Sequence, residues 1–494
     1  MKKIIIIGGG LAGLSAGVHA QKYGFSSTIY EQHTITGGQC TGWNRQGFHI
    51  DNCIDWLTGT KENTLMNDLW CEIGALGKDV KLVRPECHNV FEYDGQMIHY
   101  YNDFDKLKAE LLRVGPEDKE QIEELMKDVE MAAAMDVPAD RPIDMYSLPA
   151  LLKLGMKMKD IGTIQKKYAD ISCKEYVAKF KSPLLQKSLA DFMPEYYSAY
   201  TLIFTLATVL SGNGDIPVGG SLAMVNRIQE KYESLGGKVV TGAMVEEIIV
   251  KDNKACGIRL QDESTVNADY VIAACDVKYT FDTLLKGQYH DSAFDSRFAM
   301  PDKNPLPTSA HVTFAVDMDL KDYPTSFIFE TEKYTIAESE CNIMGIRNYA
   351  YEPSFAPAGK SVINIHISQW DKDYLWWEKL YEDKEAYKEY KEKMAQEIQK
   401  RIEKRFPEWV GKLTLLDTYT PMTYKRYCNS YHGSWMSFVM VPGAKQMMHN
   451  GKIKELGNCF LAGMWLQPPG GTPVAAVTGK YAVQRICKLE KIKL

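Results

Sequence analysis

The sequence predicts an α/β fold built on a discontinuous Rossmann-like domain, with a mixed-sheet second domain and a helical insert. Three observations predict this. A strand, a glycine turn, a helix and a second strand fill residues 1–31, and strands recur after a glycine turn at residues 216–274. An apolar strand, another glycine turn and a last helix close the chain at residues 459–489. These separated pieces can form one domain only if they meet in space.

The first unit opens with Ile4 to Ile7, a β-branched run typical of a strand buried on both faces. It leads into Gly8-Gly9-Gly10-Leu11-Ala12-Gly13, which matches G-x-G-x-x-G. In this pattern the first glycine permits a tight turn, the second lets backbone approach a pyrophosphate, and the third lets helix and strand pack closely. Glu31 ends the next strand, where a carboxylate accepts hydrogen bonds from a ribose diol and repels a 2′-phosphate. The unit therefore predicts a dinucleotide site.

The nucleotide unit does not continue as regular βαβ repeats. A glycine turn, Gly37-Gly38-Gln39-Cys40, precedes a short strand at residues 47–51 and a hairpin at residues 90–101. Residues 104–210 have a helical pattern interrupted by prolines. A helix at about 222–234 and four strands between 238 and 274 follow, and strands alternate with one long Glu- and Lys-rich helix, about 378–404, between 305 and 445.

The predicted domain boundaries follow from this order. We expect one nucleotide-binding domain from residues 1–80, 211–290 and 450–494, a helical insert at 81–210, and a mixed-sheet domain at 291–449. At the end of the chain, Thr472 is a suitable N-cap and Pro473 suits the first helical position. The start of that last helix would present free N–H groups and partial positive charge to the space beyond Gly470 and Gly471.

Composition excludes several classes of function. The 494 residues suffice for two or three domains, and a net charge of −6 without a long basic block gives no support for a nucleic-acid partner. Eleven scattered cysteines without a C-x-x-C pair argue against zinc, iron–sulfur or dithiol chemistry and favour reduced thiols in the cytoplasm. The histidine spacing predicts no metal site, and no apolar run is long enough for a signal peptide or a membrane span.

Three separated motifs together resemble the phytoene-desaturase branch of the amine-oxidase flavoprotein superfamily, which includes carotenoid desaturases, carotenoid isomerases and retinol saturases. They are the stretch from Gly8 to Glu31, the strands from Val239 to Ala274 with the preceding glycines, and the stretch from Leu461 to Gly479. The resemblance implies FAD, with its ADP part on the first motif, backbone contacts to adenine from the Val245 strand, and the flavin ring against the last glycine turn. The other residues that it assigns to the cofactor are Gly37, Gly38, Gln39, Cys40, Trp56, Gly463, Met464, Gly470, Gly471, Thr472 and Pro473.

The sequence also departs from the family pattern. Gln39 stands where many members have an arginine, and Cys53 replaces a glycine in the stretch from Asp51 to Gly59. Met464-Trp465-Leu466-Gln467 occupies a position where desaturases usually have smaller or polar residues. These departures leave FAD binding as the expectation and leave the substrate open.

Two residues are candidates for proton transfer, Asp55 and Tyr197. The alternatives are that Asp55 only caps a turn and that Tyr197, with Tyr196, only packs in the helical insert. We expect a largely apolar substrate pocket between the flavin and the second domain, walled by residues 53–56, Tyr196 and Tyr197, Trp435, and the turn at Met464 and Trp465.

The predicted function is an FAD-dependent oxidoreductase that desaturates, saturates or isomerises a carbon–carbon bond of an extended apolar substrate, such as a polyene or a lipid. The alternatives are a flavin amine oxidase and a non-catalytic nucleotide-binding protein. With a single G-x-G-x-x-G fingerprint, the flavin would need an external electron donor or acceptor, unless it recycles within an isomerisation. The apolar and basic residues 151–159 form either a plain surface helix or lid, or a contact to a membrane surface.

Overall fold

The computed structural model describes residues 1–134 and 136–494, and a six-stranded sheet lies at the centre of its nucleotide-binding part. Five strands are parallel and the last edge strand is antiparallel. Their spatial order is Lys238–Val240, Ser26–Tyr30, Lys3–Ile7, Tyr270–Ala273, Leu456–Leu461 and Lys452–Ile453. Strands from the beginning, middle and end of the chain therefore share one sheet, which confirms the predicted α/β fold and its discontinuous Rossmann-like sheet.

The isoleucine run explains why this sheet is central. Ile4 and Ile6 pack with one hydrophobic cluster, made mainly by helices, while Ile5 and Ile7 pack with another on the opposite face. The helices of the first face are Leu11–Lys22, Leu65–Ile73, Gly220–Ser234 and Gly471–Leu489. A three-stranded antiparallel sheet covers the second face and consists of Val245–Lys251, Lys254–Leu260 and Thr265–Asn267.

The first and last helices of the chain pack against each other closely. A Cβ atom on Gly479 would overlap the carbonyl oxygen of Ala12, so only glycine allows this approach. The Ser15 hydroxyl donates a hydrogen bond to the carbonyl of Ala476 over 2.7 Å. The two ends of the chain thus complete a single packed layer.

The second large element is a seven-stranded mixed sheet. Its spatial order is Leu413–Tyr419, Thr308–Val316, Ser361–Gln369, Ser339–Asn348, Ser326–Ile336, Cys87–Tyr93 and Gln96–Tyr101. Two helices, Asp371–Leu380 and Lys384–Arg405, pack on one of its faces. The prediction of a single long helix at 378–404 is therefore wrong, because Asp383 accepts hydrogen bonds from the N–H groups of Glu385 and Ala386 and starts a second helix.

The hairpin at residues 87–101 belongs to this sheet. It was predicted as a hairpin, but the expected boundaries placed residues 81–210 in a helical insert. Instead, Cys87–Tyr93 pairs in parallel with Ser326–Ile336 and extends the sheet by two strands. Long-range pairing of this kind leaves no mark on the local sequence pattern.

The helical part of the insert packs on the hairpin. Its helices are Phe104–Val114, Lys119–Ala133, Leu148–Lys157, Lys159–Tyr168, Cys173–Val177, Pro183–Phe192 and Ala199–Leu210. The remaining strands are Gly42–Arg45, Phe48–Asp51, Leu57–Thr58, Leu82–Val83 and Gly214–Pro217, and the remaining helices are Val277–Tyr279, Ser292–Phe298 and Pro421–Cys428. Among the described residues, every helix is too short or too polar to traverse a bilayer.

Candidate functional site

The predicted glycine motifs meet at the carboxyl edge of the six-stranded sheet. The N–H of Gly8 donates to the carbonyl of Tyr30 over 2.9 Å, and the N–H of Gly37 donates to the carbonyl of Gly9 over 2.9 Å. A Cβ on Gly8 would come within 2.8 Å of the Ala274 carbonyl, at the end of a third strand. In parallel sheets, ligands bind at this edge.

The first glycine motif leaves room and donors for a phosphate. A Cβ on Gly13 would overlap the Gly8 carbonyl oxygen, so the helix can approach the strand only with glycine there. The helix begins at Leu11 after Gly10, and no side chain in the described part of the chain caps it. The N–H groups at this helix N-terminus, including those of Leu11 and Ala12, are therefore free to bind an anion.

Glu31 lies beside the first glycine turn, at the end of the strand Ser26–Tyr30. Its two carboxylate oxygens accept hydrogen bonds from the N–H groups of Gly9 over 2.6 Å and His33 over 2.8 Å. Burial raises the pKa of Glu31, while these two hydrogen bonds lower it. The N–H of Ala243 donates to the Glu31 carbonyl, which brings the strand that starts at Val245 beside it. Glu31 and Val245 thus lie in one corner of the edge.

The C-terminal turn closes the other end of the site. The N–H of Gly463 donates to the Thr478 hydroxyl over 2.9 Å, which fixes the last strand to the last helix. That helix begins at Gly471 after Gly470, so the prediction that Thr472 is its N-cap is wrong. Gly470 and Gly471 have positive φ angles of 93° and 82°. Because the helix already begins at Gly471, Thr472 lies inside its first turn. No side chain of the described residues caps the helix start.

The Gly37–Cys40 turn lies between these two ends. The Gln39 side chain donates to the carbonyl of Ser434 over 2.7 Å, and its own carbonyl accepts from the Asn52 side chain over 2.9 Å. Gln39 therefore joins two loops of the protein. Cys40 is buried, and a hydrogen bond with Cys53 together with burial raises the pKa of its thiol.

Several features of this edge fit a bound dinucleotide that carries a flavin. Two helix N-termini lack side-chain caps among the described residues, and Gly10, Gly37 and Gly38 come together as backbone without side chains. Beside the C-terminal turn, the Trp435 Nε1 and Ser437 Oγ atoms are buried without a partner among the described residues. The N–H of Ser437 donates to the Pro469 carbonyl, so these atoms lie next to the flavin motif. Buried polar groups without partners are costly, and a ligand would satisfy them.

Asp55 and Trp56 lie on a loop between the nucleotide-binding part and the large sheet. Half of the Asp55 side chain is exposed, and its carboxylate lies 3.5 Å from Nε of Arg347. Arg347 also donates to the Asp55 carbonyl over 2.6 Å. The partly exposed Trp56 ring contacts the ring of His88, with centroids 5.1 Å apart. Asp55 is therefore held by an ion pair rather than acting only as a turn cap.

Tyr197 has different surroundings from Asp55. It is buried in the core of the helical insert and contacts Trp370, which follows the strand Ser361–Gln369. Arg347, the partner of Asp55, pairs in register with Asn364 on this strand. The role of either residue in proton transfer stays a prediction.

The two tryptophans predicted to line the pocket, Trp435 and Trp465, lie in different surroundings. Trp435 contacts the ring of His366 with centroids 5.9 Å apart, at the junction with the large sheet. Trp465 is buried among Phe298 and Phe438, with centroids 5.5 Å and 5.3 Å away, so its prediction as a pocket wall is wrong. A cavity of about 490 Å³ lies beside Tyr196 and Trp370.

The sequence analysis missed a polar face on the large sheet. Two neighbouring strands pair Ser309 with Ser368, His311 with His366, and Thr313 with Asn364. Both strands alternate these residues with apolar ones that face the helices on the other side, such as Phe314 and Ile365. The alternation was present in the sequence as a signal. This face was not among the predicted walls of the substrate pocket, and the largely apolar character of that pocket stays a prediction.

A hydrogen-bond network orders the polar face. The Nδ1 atom of His311 lies 3.1 Å from the Asn364 Oδ1 atom, and the Asn364 amide donates to the Thr313 and Tyr419 hydroxyls. Burial holds the pKa of His311 well below its usual value, so its ring is neutral. The neutral ring donates from Nδ1 to Asn364 and accepts at Nε2, where the Ser309 hydroxyl lies 2.8 Å away.

The same network reaches the Gly37–Cys40 turn. The Tyr424 hydroxyl lies 3.2 Å from His311 Nε2 and donates to the Asn52 Oδ1 atom, while the Asn52 amide donates to Gln39. In the described residues, no group of three or more metal-ligating side chains occurs. The site therefore joins a glycine-rich edge to an ordered polar sheet face.

Comparisons with known proteins agree with this architecture. Residues 11–487 match the profile of a family described as flavin containing amine oxidoreductase. The chain is 25% identical to a phytoene desaturase (lycopene-forming) of Paracoccus sp., over 98% of this chain and 97% of that protein. It is 22% identical to the chloroplastic prolycopene isomerase of Arabidopsis thaliana, over 87% of this chain and 73% of that protein.

Solved structures share the fold. An oxidoreductase from Methanosarcina mazei superposes with a TM-score of 0.60 at 18% identity, covering 97% of this chain and 98% of that one. Cyclohexylamine oxidase from Brevibacterium oxydans superposes with a TM-score of 0.58 at 12% identity, covering 99% of each chain. At these identities, the similarity concerns the fold alone.

Proposed function

Because the chain belongs to the flavin containing amine oxidoreductase family, we propose that it is an FAD-dependent oxidoreductase acting on a carbon–carbon bond. The reaction is a desaturation, saturation or isomerisation of an extended, mainly hydrocarbon substrate such as a polyene or a lipid. The observation that carries this proposal is the near full-length similarity to proteins named as a phytoene desaturase and a prolycopene isomerase. The three glycine motifs of that similarity lie together at one sheet edge.

The proposed cofactor contacts follow from the site. Backbone N–H groups at Gly10, Leu11 and Ala12 bind the pyrophosphate, and Glu31 accepts from the ribose. Val245 supports the adenine. The remaining contacts to the flavin half come from Gly37, Gly38, Gln39, Cys40, Trp56, Gly463, Met464, Gly470, Gly471, Thr472 and Pro473. When bound, the flavin supplies a centre that accepts or donates a hydride.

The proposed domain division keeps the expected ranges for FAD binding, residues 1–80, 211–290 and 450–494. The hairpin at 87–101 is grouped with the mixed-sheet domain, and the insert starts after it. We find a single dinucleotide fingerprint, so the protein exchanges electrons with an external donor or acceptor unless the net reaction is an isomerisation.

Asp55 is the better placed of the two candidates for proton transfer. Its carboxylate is half exposed and anchored by Arg347, whereas Tyr197 is nearly enclosed in the insert. Asp55→Asn would keep FAD bound and slow turnover by roughly 10²–10⁴-fold. Tyr197→Phe is the matched comparison. If turnover slows more in that variant than in Asp55→Asn, Tyr197 is the residue that transfers the proton.

The absorbance spectrum of the purified protein tests the cofactor. We expect flavin bands near about 370 and 450 nm. Anaerobic reduction followed by a screen of polyenes, unsaturated fatty acids, enones and amines tests the reaction. Colourless protein that binds NAD would refute the FAD proposal. Bleaching of the flavin by amines alone would replace the proposed reaction with amine oxidation.

We also place the protein in the cytoplasm, with one helix in contact with a membrane surface. The helix Leu148–Lys157 has no buried residue, and it exposes Leu148, Leu152 and Met156 on one side. Lys153 and Lys157 are suited to an anionic lipid surface. Free cysteines throughout the described chain fit a reducing compartment. Sedimentation with phosphatidylserine vesicles tests the membrane contact. The Leu152→Glu variant should bind the vesicles more weakly than Leu375→Glu, which changes an exposed leucine elsewhere. Equal binding of the two variants would mean that Leu148–Lys157 is an ordinary surface helix.

A further inference from the structure

We propose that His366 and Ser368 form a subsite for a neutral oxygen function of the substrate, a hydroxyl or a carbonyl. This inference rests on the proposed function, because it adds a polar group to a substrate whose reacting part is a hydrocarbon. It is argued from the exposure, the stacking and the charge of the polar face of the large sheet.

Both side chains are exposed although their strand lies inside the sheet. The strand Ser361–Gln369 has neighbours on both sides, Thr308–Val316 and Ser339–Asn348. Ile363, Ile365 and Ile367 of this strand are buried on its apolar face, whereas His366 and Ser368 are exposed. The ring of His366 also contacts Trp435, which lies two residues before Ser437 beside the flavin motif. The exposed pair therefore faces the junction between the large sheet and the nucleotide-binding part.

The His366 ring is held in a fixed orientation. It stacks on His311 with centroids 4.7 Å apart and an interplanar angle of 1°, and His311 stacks on Tyr419 at 4.4 Å. The network through Asn364 fixes His311 in turn. Neither ring nitrogen of His366 nor the Ser368 hydroxyl has a hydrogen-bond partner among the described residues. On the polar face, His366 and Ser368 thus offer a ligand hydrogen-bond donors and acceptors that no described residue uses.

The side chains of this polar face are uncharged, which favours a neutral ligand group. Although the His366 ring is accessible, the protein around it restricts its solvation and lowers its pKa, so the ring carries one donor and one acceptor and no charge. His311 is neutral for the same reason, and Tyr419 and Tyr351 remain protonated because burial raises the pKa of each. The nearby charges, Asp55 and Arg347, form an ion pair. A hydroxyl or a carbonyl can satisfy such a wall without leaving a buried charge unpaired.

Aromatic rings near Asp55 suit the hydrocarbon part of the same molecule. Trp56 contacts His88 with centroids 5.1 Å apart, and His88 contacts Phe192 at 5.7 Å. Burial lowers the pKa of His88 to about 3, so the three contacting side chains carry no charge. A substrate with a hydrocarbon chain and one oxygen function matches both surfaces.

The test compares two probes that differ by one hydroxyl, geranylgeraniol and the corresponding C20 hydrocarbon. Binding to the FAD-loaded protein is measured by equilibrium partitioning and by quenching of tryptophan fluorescence. We expect the wild type to bind the alcohol about 10-fold more tightly than the hydrocarbon. His366→Phe keeps the ring stack and removes both nitrogens, and together with Ser368→Ala it should abolish this preference while leaving the hydrocarbon affinity unchanged. His290→Phe, at an exposed histidine, is the matched control.

Equal affinity of the wild type for both probes, or no binding of either, would overturn the subsite. Equal losses for both probes in the variants would do the same, and so would tighter binding of geranylgeranylamine than of the alcohol. The proposed reaction is tested separately by flavin bleaching. Bleaching by a polyene without an alcohol preference would remove only the subsite, whereas an alcohol preference without any carbon–carbon chemistry would remove only the proposed reaction.

Discussion

Two surfaces of this protein border the candidate site, and they are built in opposite ways. The carboxyl edge of the six-stranded sheet is a backbone wall, made of glycines, free N–H groups and helix starts. The polar face of the seven-stranded sheet is a side-chain wall, made of hydroxyl, amide and imidazole groups on neighbouring strands. The backbone wall suits a constant cofactor, while the side-chain wall can be altered one residue at a time to suit a substrate.

The largest effect should come from adding one methyl group to the backbone wall. In Gly13→Ala the new Cβ would meet the carbonyl of Gly8, and neither backbone can rotate away. We expect a loss of about 3 kcal/mol in the free energy of unfolding, at the upper end for overpacking, and loss of bound FAD. Chemical denaturation and flavin absorbance measure both quantities.

Gly162→Ala is the matched control, because a Cβ there meets no atom within 4 Å. It lies in a helix, where alanine should stabilise the protein by roughly 0.5–1 kcal/mol. Equal behaviour of the two variants would mean that the turn between Gly8 and Gly13 tolerates a side chain, against the idea of a wall made of backbone.

A second prediction concerns Glu31, a carboxylate beside the backbone wall. Glu31→Ala removes the acceptor of the Gly9 and His33 N–H groups and the proposed ribose contact. We expect FAD binding to weaken by roughly 1.5–3 kcal/mol. Titration of the apoprotein with FAD gives the Kd. Glu31→Gln, which keeps one carbonyl oxygen, should lose less, and an unchanged Kd in both variants would contradict the ribose contact.

The side-chain wall should respond to the loss of its central amide. Asn364→Ala leaves His311, Thr313 and Tyr419 without their shared partner. Unsatisfied buried groups should cost about 1–2 kcal/mol in the free energy of unfolding while FAD remains bound. Asn267→Ala, at an exposed asparagine, should change stability by less than about 0.5 kcal/mol. A loss of FAD in Asn364→Ala would show that the two walls are not independent.

The smallest expected effect is on the pH dependence of the free energy of unfolding. Restricted solvation lowers the pKa of His366, so the folded protein binds a proton there less readily than the unfolded chain. The histidine therefore reduces stability slightly as the pH falls below about 6.5, the ordinary histidine pKa. His366→Phe should lose less stability than the wild type between pH 6.5 and 5.5 and show the same pH dependence between pH 7 and 8. A steeper acid decline in the variant would contradict a neutral wall.

The two walls also differ in how well the sequence predicts them. Each part of the backbone wall depends on local spacing, so the glycines from Gly8 to Gly13 could be identified together with Glu31, within thirty residues of one another. The side-chain wall depends on register. His311 and His366 stand 55 positions apart, and only the pairing of their strands makes them neighbours. Trp465 was misplaced for a related reason, because a tryptophan next to a motif can point into either the pocket or the core.

The first and last helices of the chain interlock, and this has a consequence for synthesis. The strand Leu456–Leu461 and the helix Gly471–Leu489 complete the layer begun by the first thirty residues. During translation, the strand Lys3–Ile7 and the helix Leu11–Lys22 are therefore made long before the elements on which they pack. The seven-stranded sheet has all its strands by Tyr419, before those elements are made. We expect this sheet to form while the nucleotide-binding half is still incomplete, so the cofactor can be bound only after the helix Gly471–Leu489 has been made.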